Sequence, residues 1–522
     1  MDEVEGGVLS ENEIGAPAGR GVSVEVRRAG AGVVWLTAAK FYFMITGMAL
    51  VLLLPSLFKR FAGEGEDHVA LYGDYRVVMG LINWFNMVLI GGTLQAVAKF
   101  VSENPARALW VRREGFKLQT LVGGACTLLL VAGAPVIAGR FYGDSTLAWP
   151  MFLAAPIVLL YAYYAVVIGV MNGLQRFRHQ ATMDMLFATL KVGLTLLLVA
   201  VGFGTLGAIA GFLATAAVML GLAWWKLGSL DGREKVTAGQ IFSFEWKTLV
   251  YAFFLNGLLQ VDLQLLKGLL PDSDGGGPDM TGVYAAVQQI AQIPYVATIA
   301  VAFVVFPLVS KATFDKDMAR ARMYVASANR YIMLALAGAV LVMACEASGI
   351  VGVIYPAEYG VGAELFSILA VGYLFFAGMV INANIITAAG RPGVSMALFG
   401  VALGISAILN VVLVPELGAR GAAVGSAIGM ASGFAGAGFV VFRRFGSFIP
   451  LLTLLRGGLA LAATWAVATY VLPGRGGVMW LLVRLVVEFG LFVGLLFVVR
   501  ELRWSDLRLL LRRQGAGGSA GK

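Results

Sequence analysis

The sequence predicts an all-α polytopic membrane protein of about fourteen transmembrane helices, built as two parallel six-helix repeats followed by a C-terminal helix pair. Three observations lead there. The 522 residues are 59% hydrophobic and only 13% charged, about half the charged share of a soluble domain, so the solvent for most side chains must be lipid. Apolar runs of roughly 20 residues, enough to cross about 30 Å of hydrocarbon, recur from end to end. Glycine-bearing segments also return at a nearly constant offset.

The runs place helices at about 33–58, 75–98, 116–138, 147–171, 181–202, 205–227, 247–269, 282–307, 327–351, 363–388, 393–415, 420–441, 452–472 and 477–499. Residues 1–32 are polar, Gly-rich and charged, and read as a disordered cytoplasmic tail. The first bundle is 33–228, a cytoplasmic linker 229–246, the second bundle 247–443 and the appended pair 444–499. The chain then ends in a cytoplasmic amphipathic helix and tail over 500–522, where RELRWSDLRLLLRRQ mixes Leu, Trp and Arg as a surface helix held by anionic lipid does. Loop charge supports this frame. Lys99, Arg107, Arg112, Arg113 and Lys117 cluster after the second run, and Lys311, Lys316, Arg320, Arg322 and Arg330 after the eighth, while alternate loops carry Asp272, Asp274, Asp279, Glu358 and Glu364. By the positive-inside rule both termini are cytoplasmic and the protein lies in the inner membrane.

The repeat is read from three ordered matches. YGDYRVVMGLINW from Tyr72 and TGVYAAVQQIAQI from Thr281 align Gly73 with Gly282 and Tyr75 with Tyr284, an offset of 209. GTLGAIAG at 204–211 and GARGAAVG at 418–425 share the pattern G-x-x-G-A-x-x-G at an offset of 214, and Arg176 and Arg391 fall in equivalent short loops at 215. Six helices per copy is an even number, so both copies enter the membrane in the same sense and are related by an axis along its normal.

Composition excludes several classes. Almost all of the charges behind the formal +9 lie in loops between apolar runs, which argues against a nucleic-acid surface. Cys126 and Cys345 lie inside apolar runs and His68 and His179 lie far apart, so no metal cluster is expected. There is no Walker loop, G-x-S-x-G motif or dinucleotide fingerprint, hence no cofactor and no ATP site. What remains is polar residues within the runs, where a charge costs about 2.5–3.5 kcal/mol at the centre. Lys40, Arg76 and Lys191 are basic, Asn83 and Asn86 follow Arg76 on one face, and Asn256, Gln260, Gln264 and Lys267 form one stripe at 100° per residue. Such a lining would hold phosphates with Lys and Arg and sugar hydroxyls with Asn and Gln. The competing reading is snorkelling for Lys40, Arg76 and Lys267, and helix-to-helix bonding for the amides. Arg484 and Glu488, four apart, read as a mutually neutralising pair.

Five segments carry a family resemblance: LYGDY at 71–75, GVMNGLQRFR at 169–178, VDLQLLKG at 261–268, TAAGRP at 387–392 and LVPELGARGAAVGSA at 413–427. Over roughly 33–443 the chain resembles the polysaccharide transporter family, the lipid-linked oligosaccharide flippases of the multidrug/oligosaccharidyl-lipid/polysaccharide exporter superfamily. The resemblance implies two bundles in a V, alternating access without ATP hydrolysis, and a polyprenyl-pyrophosphate glycan as substrate for surface polysaccharide biosynthesis, with membrane lipids and a polysaccharide polymerase as candidate partners. It also implies a coupling role for Asp262, which matches the acidic position the family places in helix 7; an ion pair with a lysine on a neighbouring helix is the alternative. Relatives that flip lipid II carry several arginines in the first helices, where this sequence offers Lys40. The competing functions are a lipid II flippase, a cation-coupled multidrug antiporter, which needs intramembrane acids and usually stops at twelve helices, and a membrane glycosyltransferase or polymerase, which needs an acid pair on a large outer loop.

Overall fold

The computed structural model describes residues 19–63, 65–230, 232–270, 279–472 and 477–502. Among them there is no strand. The N-terminal bundle comprises α1 (Gly19–Phe61), α2 (His68–Glu103), α3 (Ala108–Val136), α4 (Ala148–Ala154), α5 (Pro156–Gly173), α6 (Phe177–Leu198) and α7 (Gly204–Leu227). The C-terminal bundle comprises α8 (Ala238–Leu258), α9 (Val261–Leu269), α10 (Met280–Ala291), α11 (Ile293–Phe314), α12 (Met318–Cys345), α13 (Ala347–Ile354), α14 (Ala363–Ala388) and α15 (Pro392–Phe445). The pair α16 (Leu451–Tyr470) and α17 (Val478–Val498) packs on α12. Ten described stretches are long and apolar enough to cross a membrane, or eleven if α8 and α9 form one bent span. Two of the ten, 177–227 and 392–445, are helical hairpins.

Each hairpin turns on the repeated glycine motif. Gly204 (φ 51, ψ −138) and Gly418 (φ 60, ψ −140) share one left-handed conformation, which residues bearing a β-carbon rarely adopt. The second and third glycines then let the returning arm touch the first: a β-carbon on Gly211 would lie 2.6 Å from the Thr195 nitrogen, and one on Gly425 would lie 3.1 Å from that of Asn410. The loops before Arg176 and Arg391 also match. Each arginine N–H reaches back to a helix carbonyl, Met171 (2.9 Å) and Ile386 (3.2 Å), past a left-handed Gln175 or Gly390. The repeat read from sequence is therefore a repeat of backbone geometry. Gly421→Val is expected to cost about 3 kcal/mol or more by overpacking, because its β-carbon overlaps the Leu413 carbonyl. Gly404→Ala, with nothing within 4 Å, is expected to leave thermal stability in detergent unchanged or slightly raised.

Two expectations need correction. The first helix begins at Gly19, not near 33. Arg20, Arg27 and Arg28 thus belong to the same helix as Lys40. Once a membrane span supplies the nucleus, each further residue adds one hydrogen bond at little cost, so a polar, Gly-bearing flank can be helical. Residues 1–18 of the expected tail, and 503–522 of the expected amphipathic helix, lie outside the described residues. Second, the amide stripe on helix 7 is not one stripe, because α8 and α9 meet at 53°. The break falls at Leu259–Gln260 and rotates Gln264 and Lys267 away from the face that carries Asn256.

The bundles meet along α2, through α8 toward the base-rich end and through α10 at the base-poor end, which carries the turns near 62–67, 142–147 and 355–362. There Gly73 of α2 packs on Gly282 of α10: a β-carbon on Gly73 would lie 2.8 Å from the Gly282 nitrogen. The two glycines aligned by the repeat are thus in contact, at the point where the two copies meet. Tyr72 packs edge-on against Tyr359 at 6.3 Å, and Lys59 pairs with Glu358 at 2.7 Å. Toward the base-rich end α8 lies between α2 and α15. Trp84 donates to the Phe253 carbonyl (3.0 Å) on one side, and Tyr251 meets Phe399 edge-on at 5.4 Å on the other.

Candidate functional site

Three polar centres occur within the apolar frame. The first is cationic. Arg76, eight residues into α2, stands where its charge reaches Lys191 of α6 in its own bundle and Tyr355 and Tyr373 of the other. Its Nε is buried and has no hydrogen-bond partner. The Lys191 ammonium lies 4.0 Å over the Phe212 ring, a contact that favours a cation without neutralising it. Neither residue pairs with a carboxylate among the described residues. A cation in an apolar frame without a carboxylate partner is costly, and an anion entering here would relieve that cost. Side-chain amide atoms without hydrogen-bond partners occur on α2 and in the other bundle: both polar atoms of Asn86, Gln260 Oε1 at the α8–α9 break, Gln288 Oε1 on α10 and Gln292 Nε2 just after it. Unpaired buried polar atoms are uncommon, and a hydroxyl-rich ligand or water would satisfy them.

The second centre surrounds Asp262. Its carboxylate is fully buried and accepts hydrogen bonds from Tyr284 Oη (2.6 Å), Gln288 Nε2 (2.9 Å) and its neighbour's backbone, Leu263 N (2.9 Å). Ser426 of α15 lies against it, and Asn410 and Ser406 continue the polar cluster. All these groups are neutral, and among the described residues no lysine pairs with Asp262. Neutral donors on three helices, α9, α10 and α15, enclose one acid, and the oxygens suit a proton or a hard cation.

The third centre is a closed ion cluster between the bundles. Lys267 of α9 is fully buried and stands 3.3 Å from Asp74 of α2 and 4.0 Å from Asp144. It does not snorkel. Its charge is spent on carboxylates of the other bundle, which makes it a tie at the base-poor end rather than an open cation. Lys40 is also engaged, at 3.1 Å from Asp184 of α6, although its side chain remains largely exposed. Asn256 turns its amide back to the Ala252 carbonyl of its own helix (2.9 Å), and Gln264 donates to the Val77 carbonyl (3.1 Å), bonding helix to helix. Arg484 and Glu488 pair at 3.3 Å, and Glu346 joins them.

Sequence reasoning missed three acids: Asp184, Asp74 and Glu245. Glu245 is buried near the start of α8, held by Thr93 (2.6 Å) and Gln119 (2.9 Å) of the N-terminal bundle. Each lies near the end of an apolar run, where a charge reads as interfacial. Asp184 sits about two helical turns into α6, after the bases Arg176 and Arg178, and only docking of α1 against α6 brings Lys40 to it. The excess of membrane cations over acids is smaller than the sequence indicates.

Comparison with known proteins places this architecture. A model of the polysaccharide biosynthesis protein family matches residues 31–313, more than half of the chain. The chain belongs to this family. The polysaccharide biosynthesis family member is 27% identical over 327 residues to the uncharacterized membrane protein YabM of Bacillus subtilis (strain 168), covering 58% of the chain and 61% of that relative. It is 27% identical over 122 residues to the uncharacterized membrane protein MJ1068 of Methanocaldococcus jannaschii, covering 23% of the chain and 24% of that relative. The chain therefore spans less than two thirds of the length of either. Among solved structures, the lipid II flippase MurJ in an inward closed conformation superposes with a TM-score of 0.72 at 14% identity, covering 90% of this chain and 99% of that one. An inward-facing multidrug resistance MATE transporter of the MOP superfamily superposes with a TM-score of 0.54 at 16% identity, covering 80% and 98%. At these identities the likeness concerns the fold alone, which the chain shares with MurJ and the MATE transporter.

Proposed function

We propose that this family member flips a polyprenyl-pyrophosphate-linked oligosaccharide across the inner membrane by alternating access, for surface polysaccharide biosynthesis. One observation carries the reading: Arg76, whose Nε is buried without a partner, and Lys191, whose ammonium lies 4.0 Å over the Phe212 ring, are intramembrane cations with no carboxylate partner among the described residues. A pyrophosphate brings about two negative charges to these cations, and the unpaired amide atoms of Asn86, Gln260, Gln288 and Gln292 match a hydroxyl-rich sugar. Lys40 becomes available when Asp184 is protonated or displaced, while Lys267 and Asn256 support the site from its edges. Fourteen crossings with both termini in the cytoplasm, as the loop charges require, would put the Gly73–Gly282 closure outside. Release there would require the Lys59–Glu358 and Lys267–Asp74 pairs to separate. The lipids of the bilayer and a polysaccharide polymerase are the partners this reading calls for, with no enzyme activity of its own. Lipid II is the second reading, favoured by the superposition on MurJ. In proteoliposomes, the oligosaccharide-linked lipid is expected to flip faster than lipid II, and a cationic drug not to be moved. Preference for lipid II, or movement of the drug alone, would overturn the assignment.

Orientation is checked by cysteine labelling. In a Cys126→Ser/Cys345→Ser background, a cysteine at Glu66 is expected to react with a membrane-impermeant maleimide added outside intact cells, and one at Lys316 only after lysis. Reaction of both from outside would break the proposed frame.

Asp262 is the coupling group in this proposal. A buried carboxylate bonded only to neutral donors can exchange a proton or sodium ion, and that exchange biases the packing of α9, α10 and α15. Asp262→Asn keeps the shape and removes the titratable charge. The variant is expected to insert normally and to flip substrate at a rate independent of the ion gradient. If gradient dependence survives, Asp262 is a packing residue.

A further inference from the structure

At the base-rich end of the N-terminal bundle, away from the residues of the proposed transport site, the start of α3 and the end of α7 line an open pocket of about 260 Å³, with the 232–235 segment packed beside it. Its lining is Leu109, Trp110, Arg112, Arg113, Phe116 and Trp224. The Arg112 guanidinium stacks 4.6 Å over the Trp224 ring, and that of Arg113 lies 5.4 Å from the centre of the Trp110 ring. Lys235 approaches Trp110 from the segment side, also at 5.4 Å. The segment itself is pinned: Trp110 Nε1 donates to the Gly232 carbonyl (3.0 Å), and Glu234 N donates to that of Ala106 (3.3 Å). The nearby carboxylates are already engaged, Glu234 by Arg107 at 2.9 Å and Glu114 by Lys117 at 2.6 Å. Arg112 and Arg113 make no hydrogen bond or ion pair with the described residues. Two guanidinium forks are thus fixed by aromatic stacking, with their N–H donors unspent, which is the preparation needed for a planar or tetrahedral oxyanion.

We propose that this pocket binds the phosphate headgroup of an anionic phospholipid of the adjacent leaflet. Charge complementarity names the chemistry, and position names the source. α7 packs on α2, α4, α5 and α6 of its own bundle, so the pocket lies on the bundle's flank. Beyond it, toward the membrane centre, α3 exposes Leu121, Leu128 and Leu129, and Trp225 is exposed beside Trp224. An acyl chain would lie along that apolar flank with its phosphate between the arginines. Because the pocket's walls belong to the N-terminal bundle, bound lipid has the same contacts in either packing of the two bundles. By that argument it anchors the N-terminal bundle in its leaflet without biasing the transport cycle.

The test is lipid retention by the intact protein in detergent, read by native mass spectrometry with added phosphatidylglycerol or phosphatidylethanolamine. Phosphatidylglycerol is expected to stay bound preferentially. Arg112→Gln and Arg113→Gln are each expected to weaken it about fivefold, whereas the charge-matched pair Lys311→Gln and Arg320→Gln, remote from the pocket, has no effect. Trp224→Leu keeps the charges and removes the stacking platform, and is expected to weaken retention as well; it keeps the test open if the arginine variants misfold. Equal loss with the remote pair, or equal retention of phosphatidylethanolamine, overturns the proposal. Full displacement by millimolar inorganic phosphate assigns the pocket to soluble phosphate and overturns it too.

Discussion

Arg76→Gln and Lys191→Gln are each expected to lower the flipping rate of a polyprenyl-pyrophosphate glycan by ten- to a hundredfold while leaving the protein as stable as before, or more so. The two effects have one cause. With no anion present, each charge sits in an apolar frame without a carboxylate partner among the described residues, and removing either relieves that cost. With a pyrophosphate present, each charge about 4 Å away attracts it by roughly 4 kcal/mol at an effective dielectric near 20, before desolvation is subtracted. A site that strains the empty protein and is relieved by its ligand gives this opposed signature of lost activity and kept stability. Lys191→Arg is expected to recover part of the rate, since guanidinium also binds phosphate. The measurements are flipping in proteoliposomes and a thermal ramp in detergent. Normal flipping by both glutamine variants would remove the anionic-substrate argument, and a large drop in melting temperature would mean that the cations are structural.

Lys267→Met is expected to act the other way, on stability. Lys267 is fully buried between Asp74 and Asp144. Removing it leaves carboxylates without their cation, a change that typically costs 3–5 kcal/mol. Lys267→Met combined with Asp74→Asn removes one charge of each sign and is expected to recover a large part of that loss, because a neutral pair of similar volume avoids the uncompensated charge. The thermal ramp reads both. Since the cluster joins α9 of one bundle to α2 of the other, the double variant is also expected to open more readily at the base-poor end, read as faster labelling of a cysteine placed at Thr281, which is buried in the closed structure. Equal stability of Lys267→Met and the parent would show that the cluster is not a tie.

The chain's own pattern was enough for the helical frame and for the repeat, and the reason is local. Whether a segment crosses the membrane depends on about 20 consecutive side chains meeting lipid. The hairpins turn on glycines whose left-handed backbone is a property of single positions, Gly204 and Gly418. Arg76 and Lys191 could be picked out as costly charges inside apolar runs for the same reason. What those charges face was decided only by tertiary packing. Lys40 and Lys191 look alike in sequence, yet one pairs with Asp184 and the other with the face of Phe212. The helix 7 stripe assumed a continuous helix, and the break at Leu259–Gln260 redirected Lys267 to Asp74. Charge neutralisation and hydrogen-bond satisfaction are relations between helices distant in sequence, so they appear only when the bundles dock.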